Sequence, residues 1–235
     1  MSSLDEPLQA ALARVHERIS AAARAAGRDP AEIALLAVSK AFPAEAVIAA
    51  ARAGQRRFGE SYVQEAVEKI AQVRAMAPDL ALEWHFIGPI QSNKTRPIAE
   101  HFDWVHSVDR LKIAQRLSEQ RPADRPPLEV LIQVNVSGEA SKHGVAPAEA
   151  SALAHAVARL PRLRLRGLMA IPEPEREQQR QRAPFARLRE LLERLRREGL
   201  AVDTLSMGMS ADLEAAIAEG ATIVRVGTAI FGERT

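Results

Sequence analysis

The feature that most constrains the fold is an eightfold alternation. Short apolar runs recur at 34–40, 56–60, 82–87, 104–108, 128–136, 163–171, 204–208 and 222–230. Stretches with helical spacing lie between them, near 44–54, 62–77, 93–102, 110–120, 147–159, 178–198 and 210–219. Strands that alternate with helices predict parallel pairing through right-handed crossovers. Eight such units in about 200 residues predict an α/β fold, a single (β/α)8 TIM-type barrel domain over residues 1–235. An open doubly wound sheet is the alternative, but no G-x-G-x-x-G follows the first run, so the dinucleotide fingerprint is missing. Ahead of the first strand, Leu4, Leu8, Leu12, Val15 and Ile19 step by three or four, and Gly27 stops them. That spacing predicts one extra N-terminal helix.

Composition narrows the chemistry. With 47% apolar residues, the chain can bury a large core without disulfides. The absence of cysteine removes disulfide frameworks, thiolate metal sites and cysteine nucleophiles. No apolar run approaches the roughly 18 residues of a membrane span, and the N-terminal stretch is charged throughout. The expectation is a soluble cytoplasmic protein without a membrane partner. The histidines, at 16, 85, 101, 106, 143 and 155, show no paired metal spacing, so no metal is expected.

The net charge is only +2, and five of the 32 basic residues are lysine. The arginines concentrate on helices beside glutamates, as at Glu190/Arg194 and Glu193/Arg197. Leu188, Leu191, Leu192 and Leu195 line the other side, which predicts a solvated helix face. A nucleic-acid surface is the competing reading. Aromatics are 4% of the chain and are not interleaved with this helix, so no base-stacking platform supports it.

In such a barrel, function lies at the C-terminal ends of the strands. Lys40 ends the first apolar run, "ALLAVSK". A lysine partly desolvated near other cations loses pKa and becomes a nucleophile near neutral pH. The alternative is a lysine that snorkels to water. Ser206, Gly208 and Ser210 precede a helix expected near Ala211, and Gly227 and Thr228 lie in the neighbouring strand. Small hydroxyls with free N–H groups suit a phosphate. Ser210 as a simple N-cap, with Asp212 and Glu214 favouring the helix dipole, is the other reading. Arg225 lies within the eighth strand and cannot shed its proton. It needs an acceptor, either an acidic side chain such as Glu60 or a ligand. A nucleophilic lysine, a phosphate cradle and an arginine for a ring nitrogen together describe a pyridoxal phosphate site.

"LLAVSK", "RFGESYVQE", "WHFIGPIQSNK", "SMGMSADLEAAIAEG" and "VRVGTAIFG" also make the chain resemble the pyridoxal phosphate homeostasis (YggS/PROSC-like) family, with its alanine-racemase-type barrel. The resemblance runs from about residue 30 to the C-terminus. It implies that Lys40 forms the internal aldimine. It implies that Ser206, Ser210, Gly227 and Thr228 hold the phosphate, and that Arg225 faces the pyridine nitrogen. The family reads Asn where this chain has Ser61. A hydroxyl reaches less far than an amide, so no contact is carried over to Ser61.

An arginine leaves the pyridine ring largely unprotonated and a poorer electron sink. Racemases of the related barrel share that arginine, but add a tyrosine from a partner subunit and a β-rich dimerisation domain. The only tyrosine here is Tyr62, read as packing at a helix start or as a second base. The chain ends at Thr235, after the eighth run, so that domain is expected to be missing and the protein to be a monomer. The resulting expectation is a carrier, not an enzyme. It would buffer pyridoxal 5'-phosphate and deliver it to apo-enzymes that use the same cofactor. A racemase or decarboxylase is the alternative. His85 is read as a residue of the barrel mouth or as a neutral histidine in the wall. Lys142 is read as a secondary amine or an exposed loop lysine.

Overall fold

The computed structural model of the chain describes residues 5–139 and 143–234. Leu4 and Lys142 therefore lie outside the described residues. Helix α1 (Asp5–Ala25) leads into β1 (Ala34–Val38), α2 (Ala44–Arg52), β2 (Arg57–Glu60), α3 (Val63–Met76) and β3 (Glu83–Phe86). The alternation continues through α4 (Thr95–His101), β4 (Trp104–Val108), α5 (Leu111–Gln120), β5 (Leu128–Gln133) and α6 (Pro147–Ala158). It ends with β6 (Leu163–Met169), α7 (Gln178–Arg197), β7 (Thr204–Ser206), α8 (Leu213–Ala218), β8 (Ile223–Val226) and the single turn α9 (Thr228–Phe231). The eight strands form a closed parallel barrel in chain order. β1 closes it by pairing Ala34 with Ile223, Leu36 with Arg225 and Ala37 with Val226.

All the strands but β4 are shorter than their apolar runs. β5 stops at Gln133, and Val134 makes only an isolated bridge to Val145. The eighth run extends to 230 in the sequence, but its strand stops at Val226. Thr228 to Phe231 coil into α9, whose Phe231 stacks on Phe42. Hydrophobicity cannot mark that break, because both segments bury apolar side chains.

Alternate strand positions divide between two layers. Ala37, Phe58, Phe86, Val130, Leu168 and Val224 join the helices in one continuous outer core. Leu8, Leu12, Val15 and Ile19 of α1 enter the same core. α1 is also tied to α8 and the loop before it, because Arg18 donates to both carboxylate oxygens of Glu214 and to the Ser210 carbonyl. The charges of α7 pair as Arg189–Glu193 and Arg194–Glu198, rather than in the expected Glu190–Arg194 register. Arg182 and Arg189 also reach Glu219 beyond α8.

Two charged groups lie buried between the barrel wall and α3. Lys69 Nζ sits 2.7 Å from Glu60 Oε1, and both side chains are sealed from solvent. Ser39 Oγ donates to Glu60 Oε2 at 2.6 Å. Burial pushes the Glu60 carboxyl up, while Lys69 and Ser39 pull it back.

The barrel interior carries a second polar system. His85 Nε2 lies 2.7 Å from Glu83 Oε1, and His85 Nδ1 lies 2.8 Å from His106 Nε2. His106 Nδ1 lies 2.8 Å from Ser206 Oγ. β4 and β7 are not neighbours, so this last bond crosses the lumen. His85 is thus a buried wall histidine and not a residue of the mouth. Burial holds both imidazoles below their ordinary value, His106 furthest. The hydrogen bond to His85 holds Glu83 below the usual carboxylate range.

Two outcomes follow from these buried groups. Lys69→Met leaves Glu60 without its cation and should cost on the order of 3–5 kcal/mol in urea unfolding. Glu60→Gln should cost less, because the amide still accepts a hydrogen bond. The histidines govern the acid side. Between the ordinary imidazole value of about 6.5 and their depressed folded values, the unfolded chain binds more protons than the native one. Stability should therefore be full above about pH 6.5 and fall as the pH drops below it. A flat unfolding free energy between pH 7.5 and 5.5 would show that the buried rings titrate as they do in the unfolded chain, and a rise toward acid would show that they are already charged.

Candidate functional site

Lys40 stands two residues past the end of β1, although Ser39 N–H still extends the ladder to the Gly59 carbonyl. The Phe42 N–H donates to the Ser39 carbonyl and closes a tight turn over Lys40 and Ala41. Ala41 has φ +66°, where glycine is the usual occupant. Both neighbours of Lys40 are fixed by the charges on β2 and α3. Lys69 Nζ donates to the Ser39 carbonyl at 2.8 Å, and the Ala41 N–H donates to Glu65 Oε1 at 2.6 Å. Glu65 also accepts from Lys69 at 2.9 Å. The strained turn is held by this network, and Lys40 is left facing the barrel mouth.

A cavity of about 310 Å³ opens there. Lys40, Ser210, Arg225, Gly227 and Thr228 all line it, so five of the six expected site residues converge. Ser61 lines it too, although the sequence carried no contact over to that position. Val38, Ile87, Ile171 and Met209 supply apolar walls. Arg234, past the last helix, adds a second guanidinium that no motif pointed to. Burial, then the Arg234 charge, hold the Lys40 ammonium below the ordinary lysine value, with Arg225 adding to this and Glu60 opposing it. Tyr62 is about 52% exposed at the start of α3 and is not in the lining.

Ser206 is the exception among the expected residues. It lies beneath the cavity floor, fully buried, and its hydroxyl is taken by Arg225 and His106. Arg225 Nη1 donates to Ser206 Oγ at 2.6 Å, and Nη2 donates to the Ala170 carbonyl at 2.9 Å. Its acceptor is therefore not Glu60, which belongs to Lys69. Both acceptors of Arg225 are neutral, and burial pulls the guanidinium down to about 10, so it stays charged at neutral pH.

Ser210 does not cap a helix. α8 starts at Leu213 behind Asp212, without a side-chain cap. Asp212 instead accepts from the Met209 N–H at 2.7 Å and shapes the loop that presents Ser210. Gly208 has φ +98°, and a Cβ there would meet the Ala216 side chain at 2.6 Å, so this loop needs its glycine.

The alanine racemase N-terminal domain model matches residues 11–235. The pyridoxal phosphate homeostasis protein of Pseudomonas aeruginosa is 69% identical over 223 residues, covering 95% of this chain and 94% of that one. The protein of the same name from Escherichia coli K12 is 59% identical, with 95% of each chain covered. PipY of Synechococcus elongatus PCC7942, solved with PLP bound, is 37% identical with a TM-score of 0.83, over 96% of this chain and 100% of that one. Alanine racemase from Corynebacterium glutamicum is 18% identical with a TM-score of 0.65, over 93% of this chain and 60% of that one, and shares the fold. By family model, sequence identity and barrel alike, this chain belongs to the pyridoxal phosphate homeostasis protein family.

Proposed function

We propose that the chain binds pyridoxal 5'-phosphate in the Lys40 cavity and serves its homeostasis, as a monomeric cytoplasmic carrier without robust turnover. The names of its close relatives and the PLP-bound PipY structure support the cofactor. The chemistry of the lining fits the group independently. Pyridoxal phosphate supplies an aldehyde that condenses reversibly with a primary amine and releases water. Lys40 offers that amine for a Schiff base, and its lowered pKa raises the unprotonated fraction near neutrality. Ser210 and Thr228 bring hydroxyls to the mouth, and Gly227 brings backbone close enough for a phosphate. Arg225 brings a donor that keeps its proton, which suits a ring nitrogen that is to remain unprotonated.

One observation carries the carrier reading over the racemase or decarboxylase reading. The described lining holds one amine, two guanidiniums and hydroxyls, but no carboxylate, imidazole or phenol. A racemase needs a second group to take or return a proton on the opposite face. Arginine is too weak an acid and base for that task at neutral pH. The same cavity can accept and release an aldehyde by amine exchange, which suits delivery to apo-enzymes.

Borohydride reduction of the protein with added pyridoxal phosphate, followed by peptide mapping, should place the adduct on the Lys40 peptide. Lys40→Ala should abolish that label. Label spread evenly over Lys69, Lys94 and Lys112 would instead make Lys40 structural. Ser210→Ala and Thr228→Ala should each weaken pyridoxal phosphate by roughly tenfold or more, as loss of one charge-assisted hydrogen bond implies. Pyridoxal without its phosphate should bind both variants and the parent alike. Racemisation of added amino acid that disappears with Lys40→Ala would replace the carrier with the enzyme.

A further inference from the structure

The polar system inside the barrel is a single file with one possible direction. Arg225 can only donate, so Ser206 Oγ accepts from it at 2.6 Å. The one Ser206 proton is then directed to its other partner, His106 Nδ1. His106 must carry its proton on Nε2, which it donates to His85 Nδ1. His85 must likewise carry its proton on Nε2, which it donates to Glu83 Oε1. Every donor and acceptor along the file is used once, and both rings are neutral, consistent with burial. Trp104 stacks on the His85 ring with planes 8° apart, which fixes its orientation.

The file joins opposite ends of the barrel. Arg225 lines the cavity that holds Lys40, whereas Glu83 lines a separate cavity of about 260 Å³ with Arg57, Arg166 and Asp203. Glu83 is partly exposed there, with Arg57 Nε at 3.4 Å from the same oxygen. We infer that Glu83 is a positioning residue for the cofactor cavity, acting through His85, His106 and Ser206 to hold the Arg225 guanidinium in place. This rests on the proposed pyridoxal phosphate site. Without the carboxylate at position 83, His85 Nε2 is left on the same cavity as the Arg57 guanidinium, which can only donate, so His85 gains by moving its proton to Nδ1. His106 must then carry its own proton on Nδ1, which points at Ser206. Ser206 would face two donors, and its own proton would lose its buried acceptor. Arg225 would then share Ser206 Oγ with a second donor, and its anchor would be loosened.

The test compares Glu83→Leu, which removes the acceptor, with Glu83→Gln, which keeps a carbonyl in its place. Position 83 is at a partly exposed rim, so both variants are expected to fold, as circular dichroism checks. Imidazole ¹⁵N NMR without cofactor reads the tautomers. His85 and His106 should both be Nε2–H in the parent and in Glu83→Gln. In Glu83→Leu, His106 should become Nδ1–H although it does not touch residue 83. Pyridoxal phosphate should bind Glu83→Leu on the order of fivefold more weakly and Glu83→Gln like the parent. An unmoved His106 tautomer or an unmoved affinity in Glu83→Leu overturns the inference. Parent protein that fails to bind pyridoxal phosphate overturns the functional reading instead, and the tautomers still test the file.

Discussion

The ladder between β1 and β8 is the constraint on which the site depends. It pairs Leu36 with Arg225 and Ala37 with Val226, residues separated by almost the whole chain. Parallel pairing carries the ends of both strands to the same mouth. Lys40, just past β1, and Gly227 and Thr228, just past β8, therefore share one cavity. Gly227 keeps the two strands close, since a Cβ there would meet the Val38 carbonyl at 3.3 Å. An open sheet would leave β1 and β8 apart, and the same residues would form no site.

A parallel barrel is costly for charge, because its strands are buried on both faces. This protein meets that cost in three different ways. Between wall and helix, Glu60 and Lys69 compensate each other at 2.7 Å. In the lumen, Arg225 remains a cation against a hydroxyl and a carbonyl. Beneath it, two histidines remain neutral and pass hydrogen bonds along to a carboxylate at the rim. Each arrangement also does something for the site. The first fixes the turn around Lys40, the second presents a permanent donor to the cavity, and the third supports that donor from below.

The rigidity around Lys40 has a chemical consequence. A flexible lysine would reach water and keep its ordinary pKa. Here Ser39 and Ala41 are held on either side by Lys69 and Glu65. The amine stays beside Arg225 and Arg234, which favour its neutral form. N-terminal helix α1 contributes at a distance, since Arg18 grips the Ser210 carbonyl and Glu214 together.

The sequence by itself determined the barrel, because eight buried runs separated by helical spacing leave parallel closure as the arrangement that buries them all. It also singled out Lys40, Ser210, Arg225, Gly227 and Thr228, which line one cavity, since strand ends and glycine-bounded loops are local features. Other facts are contacts between distant segments, and only the tertiary structure decided them. Ser206 carries the same hydroxyl as Ser210, yet strand parity turns it inward under Arg225 and away from the cavity. Ser61 and Arg234 enter the lining because of where their loops return. The acceptor of Arg225 could not be read from its own strand, nor the partner of Glu60, because a buried charge selects its neighbour in space and not along the chain. The turn at Ala41 was hidden for a related reason, since no glycine marks it and its support comes from α3.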